Sequence, residues 1–297
     1  MNKFLESFPF ISKRRSILIV TLLLSLVILG IYARVYWIYK YTSTPDYWNL
    51  LTQDFLTVLV ALAAAIAGTF LIRQFVVDEK PRMIWLWFTL GWWSWLLGEL
   101  ASSGYDIFKI AYGDLSVFDI FWTLGYLCFG LALYLQFRHI YRASKEFKPA
   151  YYLLMVIFAL LVTLGLTQLA LKAGLGEGKI WFATYLAIFY PVCDFFFGLA
   201  ALWLSFLFGR GSWGRPWWAL IVFAVADGLN TFLWIGGNNL LATSAASLLD
   251  WISSVIYVGG YQVAMLGFLS ILLYYLNLSH PKSPVIDPIP AGTISHG

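Results

Sequence analysis

Six carboxylates stand inside otherwise apolar stretches of this sequence: Asp54, Glu99, Asp119, Asp194, Asp227 and Asp250. An acid in such surroundings exchanges protons, binds a cation or hydrogen-bonds across helices, because hydrocarbon offers it no water. Insertion scales charge roughly 2.5–3.5 kcal/mol for an ionised acid at the bilayer centre, so all six there would cost about 15–20 kcal/mol. That exceeds the whole stability of a typical domain. Each acid must therefore lie near an interface, find a partner or face a wet cavity.

Their spacing says which. Glu99, Ser102, Ser103 and Asp106 fall at i, i+3, i+4 and i+7, one face of a helix, and so do Asp227, Asn230, Thr231 and Trp234. Asp119 is followed seven residues later by Tyr126, and Asp250 by Tyr257. Glu99, Asp194 and Asp227 lie about midway along their stretches, whereas Asp54, Asp119 and Asp250 lie nearer the ends. The pattern predicts a polar vestibule that opens to the outside and narrows toward the midplane. Asn230, Tyr126, Tyr257, Trp122, Trp234 and Ser102 are expected to complete it as ligand-binding residues. A plainer reading also stands, in which the same groups only hold the helices in register.

Eight spans are needed to position these residues: 16–38, 49–76, 82–108, 116–140, 149–171, 181–208, 215–236 and 248–277, each about the 20 residues that cross a bilayer. Apolar residues make up 61% of the 297 and charged residues 11%. A soluble domain carries about a quarter charged residues, so lipid is the solvent for most of this chain. The first apolar run, Ser16 to Ala33, continues into Tyr36 and Trp37 without a small-residue cleavage site and reads as a retained helix. Basic residues collect on one side of the membrane (Lys13, Arg14 and Arg15; Arg73, Lys80 and Arg82; Arg138, Arg142, Lys145 and Lys148; Arg210 and Arg215). By the positive-inside rule both termini are cytoplasmic, which requires an even number of spans.

The recurrence of Asp119 with Tyr126 as Asp250 with Tyr257, of Glu99 as Asp227, and of Asp54 as Asp194 predicts an internal duplication. The expected fold is all-α: an eight-helix membrane protein built of two parallel four-helix repeats, related by an axis along the membrane normal. The divisions are a cytoplasmic segment 1–15, a first repeat 16–145, a second repeat 146–278 and a proline-rich, disordered tail 279–297.

Aromatic residues are abundant, with 15 Trp, 18 Tyr and 24 Phe. Trp37, Tyr39, Tyr41, Tyr47 and Trp48 on one side, and Tyr141, Tyr151, Tyr152, Trp217 and Trp218 on the other, read as interfacial belts. Trp92, Trp93, Trp95, Trp122 and Trp234 fall deeper, as packing or as the wall of a pocket. Cys128 and Cys193 sit in apolar stretches, which points away from a disulfide framework or a zinc site. No phosphate loop, HExxH or Ser/His/Asp arrangement occurs. No catalytic residue, metal ligand or cofactor is assigned, and nothing suggests nucleic acid.

The run Ser116-Val117-Phe118-Asp119-Ile120-Phe121-Trp122-Thr123-Leu124-Gly125-Tyr126, with Tyr190-Pro191-Val192-Cys193-Asp194 and Ala226-Asp227, resembles the multi-span N-terminal sensor regions of bacterial histidine kinases and diguanylate cyclases. That likeness implies a sensory module of the bacterial cytoplasmic membrane, here signalling through a protein partner that supplies the output domain. A second likeness rests on Phe129-Gly130 with His139 and Tyr141, on Phe223-Ala224-Val225-Ala226-Asp227, and on Tyr261-Gln262. These are similar to lysoplasmalogenase-like membrane hydrolases and imply a catalytic Asp227.

The leading expectation is a non-enzymatic, receptor-like membrane module that binds a small apolar or amphipathic ligand amid membrane lipid. A secondary transporter or proton-coupled carrier, a lipid hydrolase and a structural subunit of a membrane complex are the alternatives.

Overall fold

The computed structural model describes residues 8–42, 46–111, 115–144, 164, 181–208, 211–233 and 241–278. They form seven α-helices and one 3-10 helix, with no strand among the described residues. The α-helices are α1 (Phe8–Tyr41), α2 (Tyr47–Ile72), α3 (Lys80–Phe108), α4 (Val117–Ser144), α5 (Trp181–Phe208), α6 (Trp218–Phe232) and α7 (Thr243–Leu278). The 3-10 helix Ser212–Trp217 leads into α6. The expected fifth span, 149–171, lies outside the described residues apart from Leu164, as do Trp234 and the tail 279–297.

Five stretches are long and apolar enough to cross a membrane: Arg15–Tyr41, Tyr47–Ile72, Val117–Ile140, Ile188–Phe208 and Thr243–Leu276. The chain is an all-α, multi-pass membrane protein. α6 covers only 15 residues, and α3 gives many positions to Trp, Gly, Ser and Glu99. α6 falls short in length alone among the described residues, and α3 in apolarity, its Trp85, Trp92, Trp95 and Glu99 being buried within the bundle.

Local chemistry sets the helix ends. Asp46 caps α2 by accepting the Trp48 backbone N–H at 3.0 Å. α3 carries Pro81 in its first turn. It ends on Lys109 in the left-handed region, φ 52°, a conformation that costs a side-chain-bearing residue about 1–2 kcal/mol. The Lys109 ammonium lies 5.1 Å from the centre of the Tyr47 ring, which offsets part of that. α4 opens with one half of a capping box: the Ser116 backbone N–H donates to Asp119 Oδ2 at 2.8 Å, while Ser116 Oγ makes no return bond. The Asp250 segment lacks this arrangement, since α7 starts at Thr243 and carries Asp250 past its first turn.

α2 to α7 make a closed ring in which each helix touches the next and α7 returns to α2. α1 stands outside, packed on α2 and α7, and Trp251 ties it by donating from Nε1 to the Ala33 carbonyl at 2.7 Å. Much of α1, including Leu23, Leu24 and Val27, is exposed as a lipid-facing surface.

Interlocking small and large residues hold α3 against α4. A Cβ on Gly98 would lie 2.5 Å from the Trp122 ring, and one on Gly125 would lie 2.1 Å from the Trp95 ring. With both positions open, Trp95 Nε1 reaches the Trp122 carbonyl at 3.1 Å and Ser94 Oγ reaches the Phe121 carbonyl at 2.6 Å. Of the Gly259-Gly260 pair, only Gly260 serves close approach, because its Cβ would meet Phe223 at 2.5 Å while Gly259 faces open space.

Rings fill the interior. Trp92, Trp95, Phe129, Phe223 and Tyr261 form one continuous cluster. The 3-10 helix stops one end of the ring with Trp213 and Trp217, and Phe88 packs on Trp217 at 4.4 Å between centroids. Trp217 corrects the sequence expectation: it is 0% exposed, not part of an interfacial belt. Gly267 of α7 permits this, since a Cβ there would come within 2.6 Å of Pro216.

Candidate functional site

At the opposite end, where α1 finishes and α4 and α7 begin, the ring encloses a cavity of about 660 Å³. That is within the range of small-molecule sites, roughly 300–1,000 Å³. Its walls come from α1, α3, α4, α5, α6 and α7.

Of the expected site residues, Asp119, Trp122, Tyr126, Asp227, Asn230, Asp250 and Tyr257 line this cavity. Glu99 and Asp194 stand behind the lining, each held by a tyrosine that does line it. Asp54 and Ser102 are half-buried on α2 and α3 and are not among the lining residues. Trp234 lies outside the described residues.

The deepest acids are bound across helices. Glu99 of α3, 8% exposed, accepts from both Tyr257 and Tyr261 of α7, at 2.6 and 2.7 Å on the same oxygen. The Trp122 indole N–H also turns to Glu99 and has no other acceptor among the described residues. Asp194 of α5, 3% exposed, accepts from Tyr126 of α4 at 2.6 Å. Its second oxygen has no donor, and the group beside it is the Asp227 carboxyl of α6. A contact between two carboxyls is favourable only when they hold a proton between them.

The shallower acids are satisfied differently. Asp119 accepts from Tyr190 at 2.9 Å as well as from the Ser116 backbone. Asp250 pairs with Lys40 of α1 at 2.9 Å, with Lys40 46% and Asp250 22% exposed. It also accepts from Tyr36 at 2.9 Å and from Tyr41. Asp54 has Glu99 and Asp106 as acidic neighbours, and its buried Oδ2 makes no hydrogen bond.

Sequence reasoning missed Lys40, Tyr36, Tyr190 and Tyr261. It also left Tyr32, Ser253 and Ser254 out of the lining, while Trp95, offered as packing or pocket wall, does line it. A signal for four of them was present: Tyr36 with Lys40, Tyr190 with Asp194, and Tyr257 with Tyr261 all stand four residues apart, one above the other on a helix face. Pro191 lies inside α5 and faces the cavity.

Chemically, the cavity combines aromatic walls with three carboxylates and one ammonium. Lys40 answers Asp250, and Asp119 is held by two donors. Among the described residues the hydrogen-bonding neighbour of Asp227 is another acid, Asp194, with which it shares a proton, and no cation stands beside it. No group of three or more His, Cys, Asp and Glu suited to a metal ion occurs among the described residues. In comparisons with known proteins, no family model, curated protein or solved structure matches this chain.

Proposed function

We propose that this protein is a membrane receptor-like module that binds a small amphipathic ligand in the acid–aromatic cavity between its helices. One observation carries the reading: a 660 Å³ space floored by rings and lined by Asp227, whose hydrogen-bonding neighbour among the described residues is only another acid. A scaffold held together by tyrosine–carboxylate bonds needs no such space. The resemblance to bacterial sensor regions adds a protein partner to receive the signal and the cytoplasmic membrane as its place.

The architecture proposed with it is eight spans in two parallel repeats, with both termini cytoplasmic. Three features support the duplication. The ring order α2, α3, α4, α5, α6, α7 maps onto itself when α2 to α4 exchange with α5 to α7. Trp95 and Phe223, each four residues before its repeat's acid, touch at the centre with centroids 4.8 Å apart. The matching tyrosines Tyr126 and Tyr257 each bond a carboxylate of the other repeat, Asp194 and Glu99, although these two acids do not occupy matching positions.

A proton-coupled carrier is the second reading, favoured by the contact between Asp194 and Asp227 inside a duplicated bundle. Thermal unfolding of the purified protein against a panel of amphipathic compounds tests the first reading. A shift of several degrees for some compound, lost in Asp227→Asn, is expected. No shift for any compound removes the receptor reading, and pH-driven uptake into liposomes that needs Asp227 replaces it with the carrier.

A further inference from the structure

We infer that the ligand is an organic cation, its charged centre seated against Asp227 and among the rings of Trp95, Trp122, Tyr126 and Tyr257. This rests on the cavity being a binding site and adds the chemical class of what enters it.

Charge is the first reason. Among the described residues three carboxylates face the space and only Lys40 opposes them. That ammonium is already engaged, 2.9 Å from Asp250 and donating to Tyr36 at 2.9 Å. Among the described residues Asp227 has the Asp194 carboxyl beside it and no cation, so a positive guest takes the place of the proton that the two acids otherwise hold between them.

The walls give the second reason. Tyr126 and Tyr257 both come close enough to interact with Asp227, and they sit edge to face on Trp95 and Phe223, at 5.2 and 5.0 Å. Faces of electron-rich rings around a carboxylate attract a soft, weakly hydrated cation, the chemistry by which quaternary ammonium ions are held. A small, strongly hydrated metal ion needs several oxygen ligands converging at short range, and no such cluster occurs among the described residues.

The third reason is an open hydrogen-bonding position in the same wall. Ser116 is 2% exposed and lines the cavity, and its Oγ has no partner. Buried hydroxyls are ordinarily satisfied. A guest carrying a polar group as well as its charge fills this vacancy.

Two ions of equal size and opposite sign decide the matter. Tetraphenylphosphonium and tetraphenylborate are titrated against the full chain in neutral detergent, reading tryptophan fluorescence and thermal unfolding, with a neutral amphiphile alongside. The phosphonium is expected to bind at least about tenfold more tightly than the borate, and Asp227→Asn to abolish that preference. Should Asp227→Asn fail to fold, the discrimination by the wild-type protein stands as the deciding measurement. Equal binding of both ions and the neutral compound overturns the cation inference but keeps the cavity as a binding site. No binding by any of them overturns both. A sodium-induced shift that needs Asp227, without any phosphonium effect, overturns the organic class.

Discussion

Trp95 of α3 and Phe223 of α6 meet edge to face at the centre of the ring, their centroids 4.8 Å apart and their planes at 84°. Each stands four residues before an acid, Glu99 or Asp227, and each has a tyrosine from its own half packed against it, Tyr126 or Tyr257. The two positions form the floor on which the acid–tyrosine bonds are built. Truncating Trp95 to Ala is expected to cost about 3–5 kcal/mol of stability. A double-mutant cycle with Phe223→Leu should return about 0.5–1.5 kcal/mol of coupling, read from unfolding in detergent. Zero coupling would show that the two rings merely neighbour one another.

Gly98→Ala and Gly125→Ala each drive a methyl into an indole at 2.5 and 2.1 Å. Either should destabilise by about 1–3 kcal/mol. Gly259→Ala has nothing within 4 Å and is expected to be neutral or to stabilise by up to ~1 kcal/mol through helix propensity. If all three variants melt alike, the interlock of α3 and α4 is not what holds them.

Tyr257→Phe and Tyr261→Phe remove one donor each from the same Glu99 oxygen. Interhelical hydrogen bonds within membranes contribute about 0.6–1.7 kcal/mol, so each single change should lower stability by that order. The double change should exceed the sum of the singles, since it strips Glu99 of both hydroxyls. Additive losses would argue that Trp122 or water replaces them.

Lys40 and Asp250 form an ion pair half open to solvent. Lys40→Met should therefore cost under about 1 kcal/mol, and less still at high salt. Tyr36 and Tyr41 remain to satisfy Asp250. Trp251→Phe, which removes the tie to the Ala33 carbonyl, should loosen α1 more than Lys40→Met does. Exchange protection of α1 amides distinguishes the two.

Val77 and Ile110 are exposed at opposite ends of α3. With Cys128 and Cys193 replaced by Ala, an impermeant thiol reagent should label Ile110→Cys from outside intact cells. Val77→Cys should react only after permeabilisation. The reverse pattern overturns the orientation taken from the basic residues, and labelling of both from outside overturns the crossing of α3.

The sequence alone determined the class of this protein, because too few charged residues remain to clothe a soluble surface, and the apolar runs have the length a bilayer demands. Helix ends were legible where side chains act on their own backbone, as Asp46, Pro81 and Asp119 do. That buried acids must find partners also followed from the energy of desolvation. Which partner each finds was decided only by the tertiary structure. Tyr257 and Glu99 stand 158 residues apart, and Tyr126 and Asp194 stand 68 apart. No periodicity links such pairs, since they meet only because the ring of helices closes. Closure also buried Trp217, which local sequence could not tell from an interfacial tryptophan. It placed Lys40 beside Asp250 and left Asp227 facing a space, because charge balance in a bundle belongs to surfaces drawn from several helices at once.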